Sequence, residues 1–114
     1  MKRKFRLTRS TDFERVRREG KSFVHPLLVL VSAPNQMNLT RIGVVAGKSV
    51  GCAVNRNRAK RLIRAAVQEN SADFVTGWDL IFYSRKSLHQ ASFSEICDAV
   101  RYLSSKAGIV GKNG

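Results

Sequence analysis

Residues 55–64 bring together the side chains best suited to bind phosphate groups. Five of these ten residues are cations, two are asparagines and none is an acid. The cations are Arg56, Arg58, Lys60, Arg61 and Arg64. Arginine predominates over lysine, and its planar guanidinium donates a fork of hydrogen bonds that fits a phosphate. The run therefore predicts a surface that binds a polyanion.

The same residues have the periodicity of a helix. At about 100° per residue, the cations spread over one side, while the other side collects Ala59, Leu62, Ile63 and Ala66. This pattern predicts a helix from about residue 53 to 69 that packs on its apolar side. A charged face exposed only to solvent is the plain alternative, but such faces usually mix signs to gain pairs between turns. No acid occurs in the helix before Glu69, so a bound polyanion is the better interpretation.

The charge of the whole chain is concentrated in its first part. The 114 residues carry 21 Lys and Arg against 8 Asp and Glu, a net charge of +13. Residues 1–64 hold 16 of the cations and three acids, whereas residues 65–114 hold five of each. Such an imbalance costs self-repulsion unless a polyanion neutralises it, and nucleic acids and anionic membranes are the usual partners.

Three polyanions can be compared with the pattern around the helix. A DNA-reading helix normally follows another helix at a short turn or continues into a heptad zipper, and neither pattern is present. A helix lying on a membrane needs large apolar anchors opposite its cations, and Ala59 and Ala66 are small. RNA is therefore the predicted partner, with no role for DNA or a membrane.

Patterns for catalysis or metal binding are weak. Residues 43–49 approach a nucleotide-binding loop, but three residues separate the glycines where that loop needs four. His25 and His89 have no nucleophile in a recognisable pattern, and the acids of the basic part crowd onto one short helix. Cys52 and Cys97 lack a paired metal-ligand spacing and are interpreted as reduced packing residues. We therefore predict no catalytic residue, no metal site and no cofactor bound by the protein itself.

Two further helices are expected around the cationic one. Thr11 and Glu14 have the spacing of a capping box at the start of a first helix, which Gly20 is placed to end. Ser92 and Glu95 have the same spacing at the start of a last, amphipathic helix.

Apolar runs predict at least three strands, at residues 23–31, 41–46 and 78–83. A turn at 34–38 suggests that the first two strands form a hairpin. Strands combined with three helices predict an α+β fold, in which helices pack against a small sheet.

The chain is expected to form a single RNA-binding domain over residues 1–114. Residues 1–9 make a basic arm without the apolar stretch of a secretory signal, and the glycine-rich end, 108–114, is expected to be frayed. The longest apolar run, 27–31, is too short to cross a bilayer. We therefore expect a cytoplasmic protein.

The central part of the chain resembles the signature of the bacterial ribonuclease P protein. The residues that carry this resemblance are Arg41, Ile42, Gly43, Val44, Lys48, Gly51, Ala53, Val54 and the run 56–64. The resemblance extends backward through Leu7, Asp12, Phe13, Val16 and Gly20, and more loosely forward to the last strand and helix. It implies a mostly antiparallel sheet of about four strands with three helices, in the order α-β-β-β-α-β-α. It also implies a left-handed strand-helix-strand crossover and a short strand near Lys48.

The resemblance further implies a function in tRNA maturation. The family's holoenzyme removes the 5′ leader from precursor tRNA, and the catalytic RNA subunit with its magnesium ions performs the cleavage while the protein assists. The implied partners are therefore the catalytic RNA subunit and precursor tRNA, with magnesium bound through the RNA. The residues implied to contact the catalytic RNA are Lys48, Arg56, Asn57, Arg58, Lys60, Arg61 and Arg64.

A second implied surface is a cleft between the first helix and the sheet that binds the single-stranded leader. The corresponding positions are Phe13, Arg17 and Val31. Arg17 and Val31 stand where some relatives carry aromatic residues, and Ser49 stands where relatives often carry a second lysine. A guanidinium can still stack on a base, but valine can only pack. The alternative function is that of a structural RNA-binding protein of the ribosomal type, with no part in cleavage.

Overall fold

Three helices and four strands follow one another in the implied order. The computed structural model describes residues 2–111. Its helices are α1 (Ser10–Glu19), α2 (Ala53–Asn70) and α3 (Phe93–Lys106). Its strands are β1 (Lys21–Val24), β2 (Leu28–Pro34), β3 (Arg41–Val45) and β4 (Trp78–Ser84), which form one sheet in the order β1-β2-β4-β3. The predicted α+β class and element order are confirmed.

The prediction of a single strand over residues 23–31 is wrong, because a turn divides it. The His25 N–H donates to the Leu28 carbonyl at 2.9 Å, and the Leu27 N–H donates to Nδ1 of His25 at 3.0 Å. Pro26 lies within this turn, where its missing N–H removes no bond between strands. The divided segment supplies β1 and β2, so the expected strand near Lys48 is not needed; residues Lys48–Val50 form a 3-10 turn instead.

The predicted hairpin between the first two strands is also wrong. β2 pairs antiparallel with both β1 and β4, and β3 pairs with β4 in parallel. Because β2 lies inside the sheet with helices on both faces, its sequence is apolar on successive residues and does not alternate. A buried strand of this kind does not reveal its partner through its sequence.

The crossover from β3 through α2 to β4 is left-handed. Ile42 turns its side chain toward the core that α2 covers, and its carbonyl accepts a hydrogen bond from the Leu7 N–H at 2.9 Å on the side away from β4. In a strand of L-residues that runs upward with this side chain toward the viewer, the carbonyl of the same residue points to the right. Seen from α2, β4 therefore lies to the left of β3, which is the rare hand for such a connection. The implied crossover is confirmed.

Each face of the sheet has its own core. α2 and α3 cover the larger one, whose fully buried side chains include Leu30, Ile63, Phe82 and Leu103. α1 covers the smaller one, made by Leu7, Val16, Val31, Ala33 and Ile81. The basic arm thus contributes an anchoring residue and does not extend freely from the domain.

The helix ends test the capping predictions. At α3 the capping box is confirmed, since the Glu95 N–H donates to Oγ of Ser92 at 3.1 Å and the Ser92 N–H donates to Oε1 of Glu95 at 2.8 Å. The box predicted at Thr11 is wrong: the N-cap of α1 is Arg9, two residues before Thr11, and no side chain caps the helix. Gly20 ends α1 as predicted.

The C-terminal segment packs against the domain as far as it is described. Ile109 is fully buried, and its carbonyl accepts a hydrogen bond from the Val75 N–H at 2.8 Å. The prediction of a frayed end is therefore wrong for residues 108–111, and its remaining part, 112–114, lies outside the described residues.

Candidate nucleic-acid interface

The apolar side of α2 fixes the helix to the sheet. Ala59, Ile63, Ala66 and Val67 are buried, and Leu62 packs against the same core. These are the positions that the helical projection assigned to the packed side, with Val67 added. Burial of this side means that the opposite side is held in one orientation.

The opposite side presents cations without acidic partners. We use the name cationic face for Lys48, Arg56, Asn57, Arg58, Lys60, Arg61 and Arg64. Arg58, Arg61, Lys48 and Asn57 are exposed, and the other three are half-buried. Within residues 2–111, every ion pair involves an arginine outside this face. The structure thus brings all seven predicted residues to one helix and the turn before it, and the six cations among them have no acidic partner within residues 2–111.

A tight turn places Lys48 directly before α2. Gly51 has a φ of +119°, which a residue with a side chain adopts only with strain, and so permits the sharp approach to the helix. Gly43 lies inside β3 and not in this turn, so residues 43–49 do not form a phosphate-binding loop.

Cys52 lies at the N-terminus of α2, beside the cationic face. Its side chain is exposed, so its interpretation as a packing residue is wrong. The backbone N–H groups of Asn55 and Val54, in the first turn of the helix, lower the pKa of the thiol. Cys97, in contrast, is half-buried against the core, and burial raises the pKa of its thiol.

Two other arginines are neutralised and serve the fold. Arg41 donates from Nε and from a terminal nitrogen to the two carboxylate oxygens of Asp79, at 2.9 and 2.7 Å, and Arg15 contacts the same carboxylate. Asn35 donates to it at 2.9 Å. Burial alone would raise the pKa of Asp79, but the hydrogen bonds from Arg41 and Asn35 outweigh that effect and lower it. The cluster ties α1, β3 and β4 together, and no sequence pattern indicated it because Asp79 lies within an apolar run.

Phe13 and Arg17 form a second surface between α1 and the sheet. The Phe13 ring lies on Gly43, so closely that a Cβ added to this glycine would come within 2.6 Å of the ring. The Arg17 guanidinium carbon lies 5.9 Å from the centre of that ring, and its Nε donates to the Tyr83 hydroxyl at 2.9 Å. The structure therefore brings two of the three predicted cleft residues together and adds Tyr83, which the sequence analysis did not single out.

Val31, the third predicted cleft residue, is covered. Its side chain is 7% exposed and lies in the core beneath α1. It supports the cleft from below and does not offer a contact surface.

Neither a metal cluster nor a membrane helix is found in the described part of the chain. Residues 2–111 contain no group of three His, Cys, Asp or Glu side chains arranged to hold a metal ion. No helix among them is long and apolar enough to cross a membrane.

A helix with unpaired cations, anchored on a mixed sheet and flanked by an aromatic cleft, defines a small α+β protein of the RNA-binding class. The family model described as Ribonuclease P matches residues 1–108, and the chain belongs to that family. It is 43% identical over 107 residues to the ribonuclease P protein component of Herpetosiphon aurantiacus, with 94% of this chain and 87% of the relative covered. The corresponding component of Clostridium kluyveri is 41% identical over 108 residues, with coverages of 92% and 96%. A solved structure of the RNase P protein from Thermotoga maritima is 27% identical and superposes with a TM-score of 0.79 over 88% of this chain and 96% of that one.

Proposed function

We propose that this chain acts as the protein component of a ribonuclease P and binds the catalytic RNA subunit through its cationic face. The observation that carries the proposal is the contrast between two sets of arginines. Arg15 and Arg41 pair with two aspartates, Asp79 and Asp12, whereas the cations of α2 have no acidic partner among residues 2–111. A fold that needed those cations only for solubility would gain by pairing some of them along the helix.

Rigid presentation suits a folded RNA. The buried side of α2 fixes the backbone positions from which the arginines extend, so the helix itself needs no ordering when the guanidinium groups meet the phosphates. Each phosphate neutralised releases condensed counterions, which drives binding at low salt. Asn57, exposed between two arginines, adds a group that can bond a 2′-hydroxyl.

The leader of precursor tRNA is proposed to cross the cleft formed by α1 and the sheet. Phe13 offers a ring and Arg17 a guanidinium plane, and bases of any identity can stack on such groups. Val31 supports this cleft without touching the leader. The catalytic RNA and its magnesium ions carry out the hydrolysis, and the protein contributes binding and positioning of the substrate.

The test is reconstitution. A ribonuclease P RNA is mixed with the protein at a magnesium concentration too low for the RNA alone, and cleavage of a precursor tRNA is followed. We expect cleavage at the junction between leader and mature tRNA to be restored by the wild-type protein and by Arg101→Ala. Arg101 lies on α3 and pairs with Asp98 at 3.0 Å, outside the cationic face. No stimulation, together with equally tight binding of unrelated RNA, would mean that the chain is a general RNA-binding protein.

A further inference from the structure

One end of the sheet face beneath α1 is left open. A row of cross-strand partners runs over all four strands there, from Val24 to Val29, Tyr83 and Val45. Paired residues in neighbouring strands point to the same face, so these four side chains form a continuous apolar strip with one aromatic ring inside it. Val24 is 61% exposed, and the other three are half-buried.

The helix covers the other end of the same face. Phe13 packs on Gly43, and Arg15 reaches the Pro34 carbonyl and Asp79. Arg17 lies at the boundary, where its hydrogen bond to the Tyr83 hydroxyl fixes the position of both groups. The ring of Phe13, the guanidinium of Arg17 and the ring of Tyr83 therefore follow one another from the covered half to the open half.

Charge at the open end favours a polyanion. β3 and β4 are parallel, so the residues that follow them emerge at the same edge of the sheet. Those residues include three exposed cations, Lys48, Arg85 and Lys86. The buried carboxylate of Asp79 lies at the opposite end, where it is neutralised by Arg41.

We propose that Tyr83 is a stacking residue for a base of single-stranded RNA and that Arg17 orients its ring. The proposal rests on the proposed function, because the single strand in question is the precursor leader. A base that lies on this row of side chains stacks on the phenol ring of Tyr83 and contacts the side chains of Val29 and Val45. The phosphates of the same RNA strand then face the cations at the ends of β3 and β4. Tyr83 thereby supplies from β4 an aromatic surface that Val31 does not provide from β2.

The test compares Tyr83→Leu with Tyr102→Leu in the reconstituted holoenzyme. Tyr102 is a 47% exposed tyrosine of α3, so it is a matched control for loss of a surface ring. Affinity is measured for a precursor tRNA and for the same tRNA without its leader. We expect Tyr83→Leu to weaken binding of the leader-bearing RNA by about tenfold and to leave the leaderless RNA unchanged. Tyr83→Phe, which keeps the ring and loses only the bond to Arg17, should stay within about threefold of wild type.

A second readout does not depend on affinity. A 2-aminopurine placed along the leader should be quenched by stacking in the wild-type, Tyr83→Phe and Tyr102→Leu complexes, and should recover its fluorescence in Tyr83→Leu. If Tyr83→Leu behaves like Tyr102→Leu in both readouts while low-magnesium cleavage persists, Tyr83 does not stack on the leader, and the proposed function still stands. If the wild-type protein itself does not restore cleavage, the proposed function fails.

Discussion

Removal of two exposed arginines from the cationic face should change how RNA binding depends on salt. Arg58 and Arg61 are both exposed on α2, and neither pairs with an acid within residues 2–111. Each phosphate contact contributes about 0.7 to 0.9 to the slope of log K against log salt. The double variant Arg58→Ala/Arg61→Ala should therefore bind the catalytic RNA with a slope about 1.4 to 1.8 units shallower than that of wild type.

This change in slope means that the affinity difference between wild type and the double variant depends measurably on salt. Between 50 and 200 mM salt, a slope change of that size corresponds to about 7- to 12-fold in the ratio of the two affinities. The double variant should bind more weakly at low salt, and its deficit should narrow by that factor at high salt. Anisotropy titrations of labelled RNA at four salt concentrations, with magnesium held constant, supply the slopes.

Two controls separate charge from geometry. Arg58→Lys/Arg61→Lys keeps both charges, so its slope should match wild type while its affinity falls from the loss of forked hydrogen bonds. Arg101→Ala removes a cation from α3 and should change neither quantity. If the alanine double variant has the same slope as wild type, neither arginine neutralises a phosphate and this face is only solvated.

Three further perturbations test the framework around the two surfaces. Asp79→Asn should lower the free energy of unfolding by about 3 kcal/mol at pH 7, because two arginines lose their buried carboxylate. The folded-state pKa of Asp79 is lowered, so its contribution is present above about pH 4 and is lost as the pH falls through that pKa; urea unfolding should show the deficit shrinking in acid. Alkylation at neutral pH should modify Cys52 before Cys97, since the pKa of the first thiol is lowered and that of the second is raised, and peptide mapping showing the reverse order would contradict this. Gly43→Ala should displace the α1 phenylalanine and cost about 1–3 kcal/mol in thermal unfolding, whereas Gly47→Ala, with nothing within 4 Å of the added carbon, should be nearly neutral.

Two local patterns in the sequence located parts of the fold correctly, although the local pattern at Thr11 and Glu14 did not. The period of apolar residues located α2 and its packed side, and the spacing of Ser92 and Glu95 located the start of α3. Both signals depend on residues within a few positions of each other, so no knowledge of the rest of the fold is needed.

Pairing between distant elements was beyond such patterns. β2 and β3 follow one another with a turn between them, yet both pair with β4, because the crossover through α2 inserts that strand between them. The division of the first apolar run depended on two hydrogen bonds around His25, which apolar periodicity does not report.

The candidate surfaces divide in the same way. The helical part of the cationic face lies within one short run, so its cations were predicted from the sequence pattern, whereas Lys48 was implied only by the family resemblance. Tyr83 and Asp79 acquire their roles only from partners on other elements, Arg17 on α1 and Arg41 on β3. A tyrosine and an aspartate within a buried strand carry no sequence signal of such contacts.

The proposed contact between the cationic face and the catalytic RNA can be located with a cleavage probe tethered to the protein. Cys52 is exposed at the start of α2, so an iron chelate can be attached to it in a Cys97→Ser protein. The control carries the chelate at Ser105→Cys, an exposed position of α3, with both native cysteines replaced by serine. In the assembled holoenzyme, hydroxyl radicals from Cys52 should cut the catalytic RNA at a few clustered positions that the control does not cut. Cuts confined to the precursor leader, or an identical pattern from both positions, would mean that the cationic face does not lie against the catalytic RNA.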